Sequence, residues 1–137
     1  KRFSRSRVVK YLIDTAVFLW MIFDEPQKIS KKALVLLKDD SNEFYFSAAS
    51  AWEIAIKHSI GKLELKKNPK DWLPGIILKM GLRPLPVTQH HAFEIIKLPS
   101  YHRDPFDRLI ISQAKLENIS VVTPDSIFKK YKARVIW

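Results

Sequence analysis

The sequence contains no cysteine and only three glycines. The absence of cysteine excludes disulfides, thiol nucleophiles and cysteine-ligated zinc sites, and because it fits a reducing compartment we expect a cytoplasmic location. The glycines, Gly61, Gly75 and Gly81, form no P-loop, no G-x-G-x-x-G fingerprint and no G-x-S-x-G elbow. P-loop nucleotide hydrolysis and hydrolase-type serine chemistry are therefore excluded.

Long apolar runs and acidic residues are also scarce. The longest apolar run, Ala16 to Phe23, is far shorter than the roughly 20 residues of a membrane-spanning helix, so we expect no membrane partner. Lys and Arg number 24 against 14 Asp and Glu, which gives a formal net charge of +10. A cationic surface gains counterion-release energy on a phosphate backbone, so the composition favours RNA, DNA or an acidic protein as partner.

The 137 residues have the length of one domain, which we assign to residues 8–137. Residues 1–7 form a basic extension, for which a solvated tail, an arm that touches nucleic acid and non-native sequence are the open alternatives. Along the domain, segments rich in β-branched and aromatic residues alternate with segments of helical periodicity. The predicted strands cover 8–13, 44–46, 82–87, 119–123 and 133–137, and the predicted helices cover 15–23, 30–38, 50–58, 71–80, 88–98, 105–117 and 125–131.

This alternation predicts an α/β fold, a three-layer α/β/α sandwich whose central sheet has about five mostly parallel strands. Ligands of such sheets bind at the carboxyl ends of the strands. Five acidic residues fall at that predicted edge: Asp14 and Asp125 follow strands, Glu53 lies in the first turn of a helix, and Asp104 and Asp107 open the helix 105–117.

Each acid has an alternative role in capping a helix. Asp14, Asp104 and Asp125 are good N-cap residues, Pro105 suits the first helical position, and the S-x-x-E run that begins at Ser50 fits a capping box. Capping explains each acid alone but not their concentration in one place, because gathered carboxylates repel one another unless a cation compensates. Carboxylate oxygens favour Mg²⁺ or Mn²⁺, whereas zinc prefers histidine and cysteine.

Four segments of the sequence resemble the PIN domain, most closely the VapC-type ribonuclease toxins of toxin–antitoxin pairs. They are LIDT, SAASAWEIAIK followed by GKL, LPSYHRDPFDRLIISQA and VVTPD, and the resemblance runs from about residue 9 to the C-terminus. It implies an endoribonuclease that depends on Mg²⁺ or Mn²⁺, a homodimer, and a cognate antitoxin that blocks the site.

The resemblance assigns the metal and catalytic roles to Asp14, Glu53, Asp107 and Asp125, with Asp104 as an assisting acid of the DPFDR variant. We expect in-line attack of water on an RNA phosphodiester, promoted by the bound cation. Six further residues have open roles. Thr15, Ser47 and Thr123 either support the acids or cap helices and turns; His102 contacts phosphate, moves a proton or is a surface residue; Arg103 and Arg108 contact RNA or pair with the acids.

For Arg108 we favour pairing with the acids, because its helix is predicted to be buried. Two other functions compete with the nuclease. One is a catalytically silent PIN-like domain that binds RNA, and the other is an interaction module whose basic surface docks an acidic partner.

Overall fold

The computed structural model describes residues 8–137, so the predictions for residues 1–7 lie outside it. The five strands of this part of the chain are β1 (Lys10–Ile13), β2 (Glu43–Ser47), β3 (Arg83–Leu85), β4 (Ser120–Val122) and β5 (Val135–Ile136). The α-helices are α1 (Thr15–Ile22), α2 (Lys31–Leu37), α3 (Ala48–Ser59), α4 (Pro69–Lys79), α5 (Gln89–Glu94), α6 (Pro105–Glu117) and α7 (Ile127–Lys130). None of these helices is both long and apolar enough to cross a membrane.

All strands of the sheet pair in parallel, in the order β3-β2-β1-β4-β5. The predicted α/β fold is confirmed, and the sheet is entirely rather than mostly parallel. After β3 the chain crosses to the other side of the central strand β1 and adds β4. The topological switch point therefore lies between the carboxyl ends of β1 and β4, where an open α/β sheet forms its ligand crevice.

Both faces of the sheet are covered, because successive side chains of each strand point to opposite faces. In β1, Tyr11 and Ile13 pack in one buried cluster with residues of α1, α2 and α4. Leu12, between them, packs in a second cluster with residues of α6 and α7. These two cores on opposite faces of one sheet make the three layers that the sequence predicts.

The start of α3 differs from the prediction. The helix begins at Ala48 rather than near residue 50, and Ser47 is its N-cap, whose hydroxyl oxygen accepts the N–H of Ala49 at 2.9 Å. Because β2 runs directly into this cap, Ser50 falls inside the helix. The capping box predicted from Ser50 to Glu53 is therefore wrong.

Other caps agree with the sequence. Thr88 caps α5 and forms a reciprocal capping box with His91, and the segment continues as a short 3-10 helix over Ile95–Lys97. Asp104 caps α6 with Pro105 in the first helical position, as predicted. Residues Leu109 to Ala114 of α6 are all buried, which confirms the expectation of a mostly buried helix.

Candidate metal centre

The structure brings all five predicted acids to the switch-point edge of the sheet. Asp14 directly follows β1 and Asp125 lies just beyond β4, while Glu53 comes from α3 and Asp104 and Asp107 from the start of α6. The charges of Glu53 and Asp125 raise the pKa of Asp14, and the charges of Asp104, Asp14 and Glu53 raise that of Asp107. The five carboxyl groups thus form one electrostatically coupled cluster.

Asp14 is buried and directs its carboxyl group into this cluster. Its Oδ2 accepts a hydrogen bond from the hydroxyl of Thr123 at 2.7 Å, and it makes no side-chain cap to α1 although it stands at the N-cap position. The pKa of Asp14 is raised to about 6: burial is the largest cause, the charges of Glu53 and Asp125 also raise it, and the hydrogen bonds from the Thr123 hydroxyl and the Thr15 N–H lower it. The capping alternative therefore does not hold for Asp14.

Asp104 and Asp107 have different roles at the start of α6. Oδ1 of Asp104 accepts the N–H groups of Phe106 and Asp107, at 2.8 and 3.0 Å. Asp107 is free of capping, and its Oδ2 lies 2.8 Å from Nε2 of His102 in a hydrogen bond. The pKa of Asp107 is raised to about 7: burial is the largest cause, the bond to His102 lowers it, and the charges of three acids also raise it. His102, Asp104 and Asp107 each offer one ligand atom within 4.8 Å of the others.

Glu53 supplies the observation that tests whether a cation fits. Its side chain is buried, and Oε2 accepts a hydrogen bond from Nζ of Lys57 at 2.5 Å. Its other oxygen, Oε1, is buried without a hydrogen-bond partner among residues 8–137. A buried carboxylate oxygen without a donor is costly unless a cation or a proton satisfies it. The carboxylate oxygens of the cluster suit Mg²⁺ or Mn²⁺.

Thr123 connects the acids at the two strand ends. Besides donating to Asp14, its hydroxyl oxygen accepts the N–H of Asp125 at 3.1 Å. Oδ1 of Asp125 in turn accepts the N–H of Ile127 at 3.0 Å, so this acid also closes the turn before α7. The two roles proposed for Thr123, support of an acid and turn formation, are both present.

The side-chain hydroxyl groups of Ser47 and Thr15 make no hydrogen bond to any of the five acids within residues 8–137. Ser47 caps α3 and donates its hydroxyl hydrogen to Oε1 of Gln113 at 2.5 Å, so its capping alternative is the observed one. The hydroxyl groups of Thr15 and Ser50 share a buried hydrogen bond of 2.7 Å that joins α1 to α3. Both residues hold together the helices that carry the site.

Arg108 does not pair with the acids, so that prediction is wrong. Its guanidinium donates to the backbone carbonyls of Pro99 and His102, at 3.0 and 3.2 Å, and to the hydroxyl of Tyr131 at 3.2 Å. It also reaches the carbonyl of Ile95 at 3.3 Å. The carbonyls of Pro99 and His102 in the α5–α6 connection accept no backbone N–H within residues 8–137, and the planar fork of arginine suits several acceptors at once. Arg108 thereby fixes the segment that presents His102.

Arg103 is exposed beside the acids of α6. Sequence reasoning missed Lys57 and Tyr131. Lys57 follows Glu53 by four residues, a spacing that places both side chains on one helix face and could have indicated the pair. Tyr131 accepts the N–H of His102 from 29 positions away, and no local pattern signals such a contact.

Comparison with known proteins agrees with this architecture. Ribonuclease VapC16 of Mycobacterium tuberculosis is 38% identical over 57 residues, which are 42% of this chain and 40% of that protein. The matched segment thus spans less than half of the relative's length.

Solved structures of VapBC complexes share the fold at low sequence identity. VapBC2 from Rickettsia felis, bound to a DNA fragment from its promoter, superposes with a TM-score of 0.67 at 20% identity, covering 94% of this chain and 98% of the other. DNA-bound VapBC from Salmonella typhimurium gives 0.66 at 15% identity, with coverages of 94% and 98%. The PIN domain family model matches residues 11–134. The chain therefore belongs to the PIN domain family.

Proposed function

We propose that this PIN domain is a metal-dependent endoribonuclease and the toxin of a toxin–antitoxin pair. The observation that carries the proposal is the cluster of five carboxyl groups at the switch point, with a buried, unpartnered oxygen on Glu53, in a chain of formal charge +10. Two comparisons support it: the relative of 38% identity is named a ribonuclease, and the structural neighbours are VapBC complexes.

Asp14, Glu53, Asp107 and Asp125 would hold Mg²⁺ or Mn²⁺, with Asp104 beside them. When bound, such an ion lowers the pKa of a water molecule and neutralises the charge that develops on a phosphate. Thr123 holds Asp14 in place through its hydroxyl, and His102 holds Asp107 through Nε2. These contacts fix the carboxyl groups before substrate arrives, which spares reorganisation during the reaction.

The chain's own groups then act on the attacking water and the RNA. Oε1 of Glu53 has no donor within the described chain, so it would either coordinate the ion or accept a hydrogen bond from the attacking water and orient it for in-line attack on phosphorus. Arg103 is exposed and precedes Asp104 in the sequence, and in this proposal it would contact an RNA phosphate.

The partner of this domain would be an antitoxin. A groove of about 770 Å³ is lined by residues from the ends of α1 and α3, the following loop and α4, and by none of the five acids. Its wall is apolar at Phe23, Leu65 and Trp72, and Lys66 and Lys67 line it as well. An antitoxin segment with apolar side chains and acidic residues fits this combination.

We also propose that the protein forms a homodimer and acts in the cytoplasm, where it would meet its RNA substrate. Phe93, Ile96 and Tyr101 are large apolar residues exposed around the α5–α6 connection, and a dimer interface would bury such side chains. Light scattering behind size-exclusion chromatography, on the wild type and on Ile96→Glu, tests the dimer. A monomeric wild type would contradict it.

The nuclease proposal is tested on total cellular RNA with Mg²⁺, with Mn²⁺ and with EDTA, by sequencing new 5′ ends. We compare the wild type with Asp14→Asn and with Asp24→Asn, a matched change at an exposed acid. Discrete cuts that need the metal, persist in Asp24→Asn and vanish in Asp14→Asn are expected. Identical ends in all three proteins, with no metal binding by calorimetry, would contradict the proposal. RNA retention without cleavage under every condition would instead favour the silent RNA-binding domain.

A further inference from the structure

Lys57 stands beside the carboxylate cluster without being part of it. It lies four residues after Glu53 on α3, and its ammonium donates to Oε2 of Glu53 at 2.5 Å. A lysine ammonium is positively charged at neutral pH, so Lys57 brings a positive charge into direct contact with the carboxylate of Glu53. The carboxylate cluster is therefore in contact with one cation that belongs to the chain itself.

The ion pair with Lys57 leaves the two carboxylate oxygens of Glu53 in different environments. Oε2 is engaged by Lys57, and only Oε1 is left without a partner among the described residues. Sites that bind two metal ions place them about 3.5–4 Å apart around carboxylates whose oxygens serve both ions. With one oxygen already held by a cation of the chain itself, Glu53 can offer a single oxygen to a divalent ion.

The balance of charge within the cluster also favours a single metal ion. Gathered carboxylates need compensation, and a fixed ammonium supplies part of it without a second ion. Asp14 and Asp125 lie at the strand ends, whereas the acids whose charges act on Lys57 lie on α3 and α6. The cluster thus has a strand side, free of any basic partner among the described ion pairs, and a helix side that carries its own cation.

We propose that Lys57 is a built-in cation that takes the place of a second metal ion, so that this domain binds one divalent ion per chain. The inference rests on the proposed function, because it assumes that the cluster holds a metal. It adds the number of ions and names the residue that sets that number.

The test counts bound Mn²⁺ by isothermal titration calorimetry on the full chain, without RNA. The variants are Lys57→Met and Lys57→Gln, which remove the charge, Lys57→Arg, which keeps it, and Lys62→Met, a control that removes a second lysine lining the same cleft of about 240 Å³. Circular dichroism verifies folding, and the Mn²⁺-induced rise in melting temperature is a second readout.

We expect about one Mn²⁺ per chain for the wild type, Lys57→Arg and Lys62→Met, and about two for Lys57→Met and Lys57→Gln. The rise in melting temperature on adding Mn²⁺ should be larger in the two neutral variants than in the control. Two ions in the wild type, or one in both neutral variants, would overturn this inference while leaving the nuclease proposal standing. No bound ion in the wild type would overturn both.

Discussion

The hydroxyl of Thr123 donates a hydrogen bond to Oδ2 of Asp14 across 109 positions of sequence, at 2.7 Å. The two residues follow β4 and β1, the strands on either side of the switch point. The same hydroxyl accepts the N–H of Asp125 at 3.1 Å. One short side chain therefore positions both strand-end acids over the crevice where this class of sheet binds its ligands.

In the metal-free protein, Asp14 should make folding less favourable as pH rises. Burial raises its pKa from 3.8 to about 6, so between these values the folded chain binds a proton that the unfolded chain has released. The stability due to Asp14 is complete below pH 3.8 and is lost as pH rises through about 6. Asp14→Asn removes this dependence on pH. As pH rises from 3.8 through about 6, the free energy of unfolding of the variant should therefore come to exceed that of the wild type by up to about 3 kcal/mol.

Urea denaturation of both proteins in EDTA, as a function of pH, measures this difference in the free energy of unfolding. A difference that stays constant with pH would contradict the assigned cause. Saturating Mn²⁺ should reverse the order of stability, because the ion binds the ionised carboxylate of the wild type and is held less well by the amide.

Replacing His102 with alanine should lower RNA cleavage by about tenfold, because Asp107 loses the hydrogen bond that orients its carboxyl group. Mn²⁺ affinity should fall with it, which calorimetry measures independently of activity. His90→Ala is the matched control, since His90 is exposed on α5. Equal activity and Mn²⁺ affinity in the two variants would show that His102 is a surface residue without influence on the site.

Arg108→Lys should destabilise the fold by about 1–3 kcal/mol, because a compact ammonium cannot satisfy the carbonyls and the Tyr131 hydroxyl that the guanidinium reaches. Chemical denaturation measures the change, with Arg103→Lys as the exposed control, expected within about 0.5 kcal/mol of the wild type. An equal loss of stability in Arg108→Lys and Arg103→Lys would show that the hydrogen bonds of the Arg108 guanidinium are not the cause.

A double-mutant cycle measures how much the buried hydrogen bond between Thr15 and Ser50 stabilises the fold. Ser50→Ala and Thr15→Val each remove one hydroxyl, and the coupling between them should be about 1 kcal/mol if the shared hydrogen bond of 2.7 Å stabilises the fold. Additive free energies of unfolding would indicate that the two hydroxyl groups act independently.

The sequence alone determined the alternation of strands and helices, the caps at Thr88 and Asp104, and the placement of the acids at one edge of the sheet. These features follow from local periodicity, from hydrogen bonds between near neighbours, and from the rule that parallel strands end on the same side. Asp14 and Asp125 could be brought together in prediction because each comes soon after the end of a strand.

The tertiary structure alone decided which hydroxyl caps α3, what Arg108 binds, and which side chain holds Asp14. Ser50, with Glu53 three residues later, is the stronger local capping signal, and only the direct passage from β2 into α3 makes Ser47 the cap instead. Arg108 finds carbonyls rather than carboxylates because the α5–α6 connection packs over it. Contacts between residues remote in sequence depend on how the layers pack, and a local pattern carries no information about that packing.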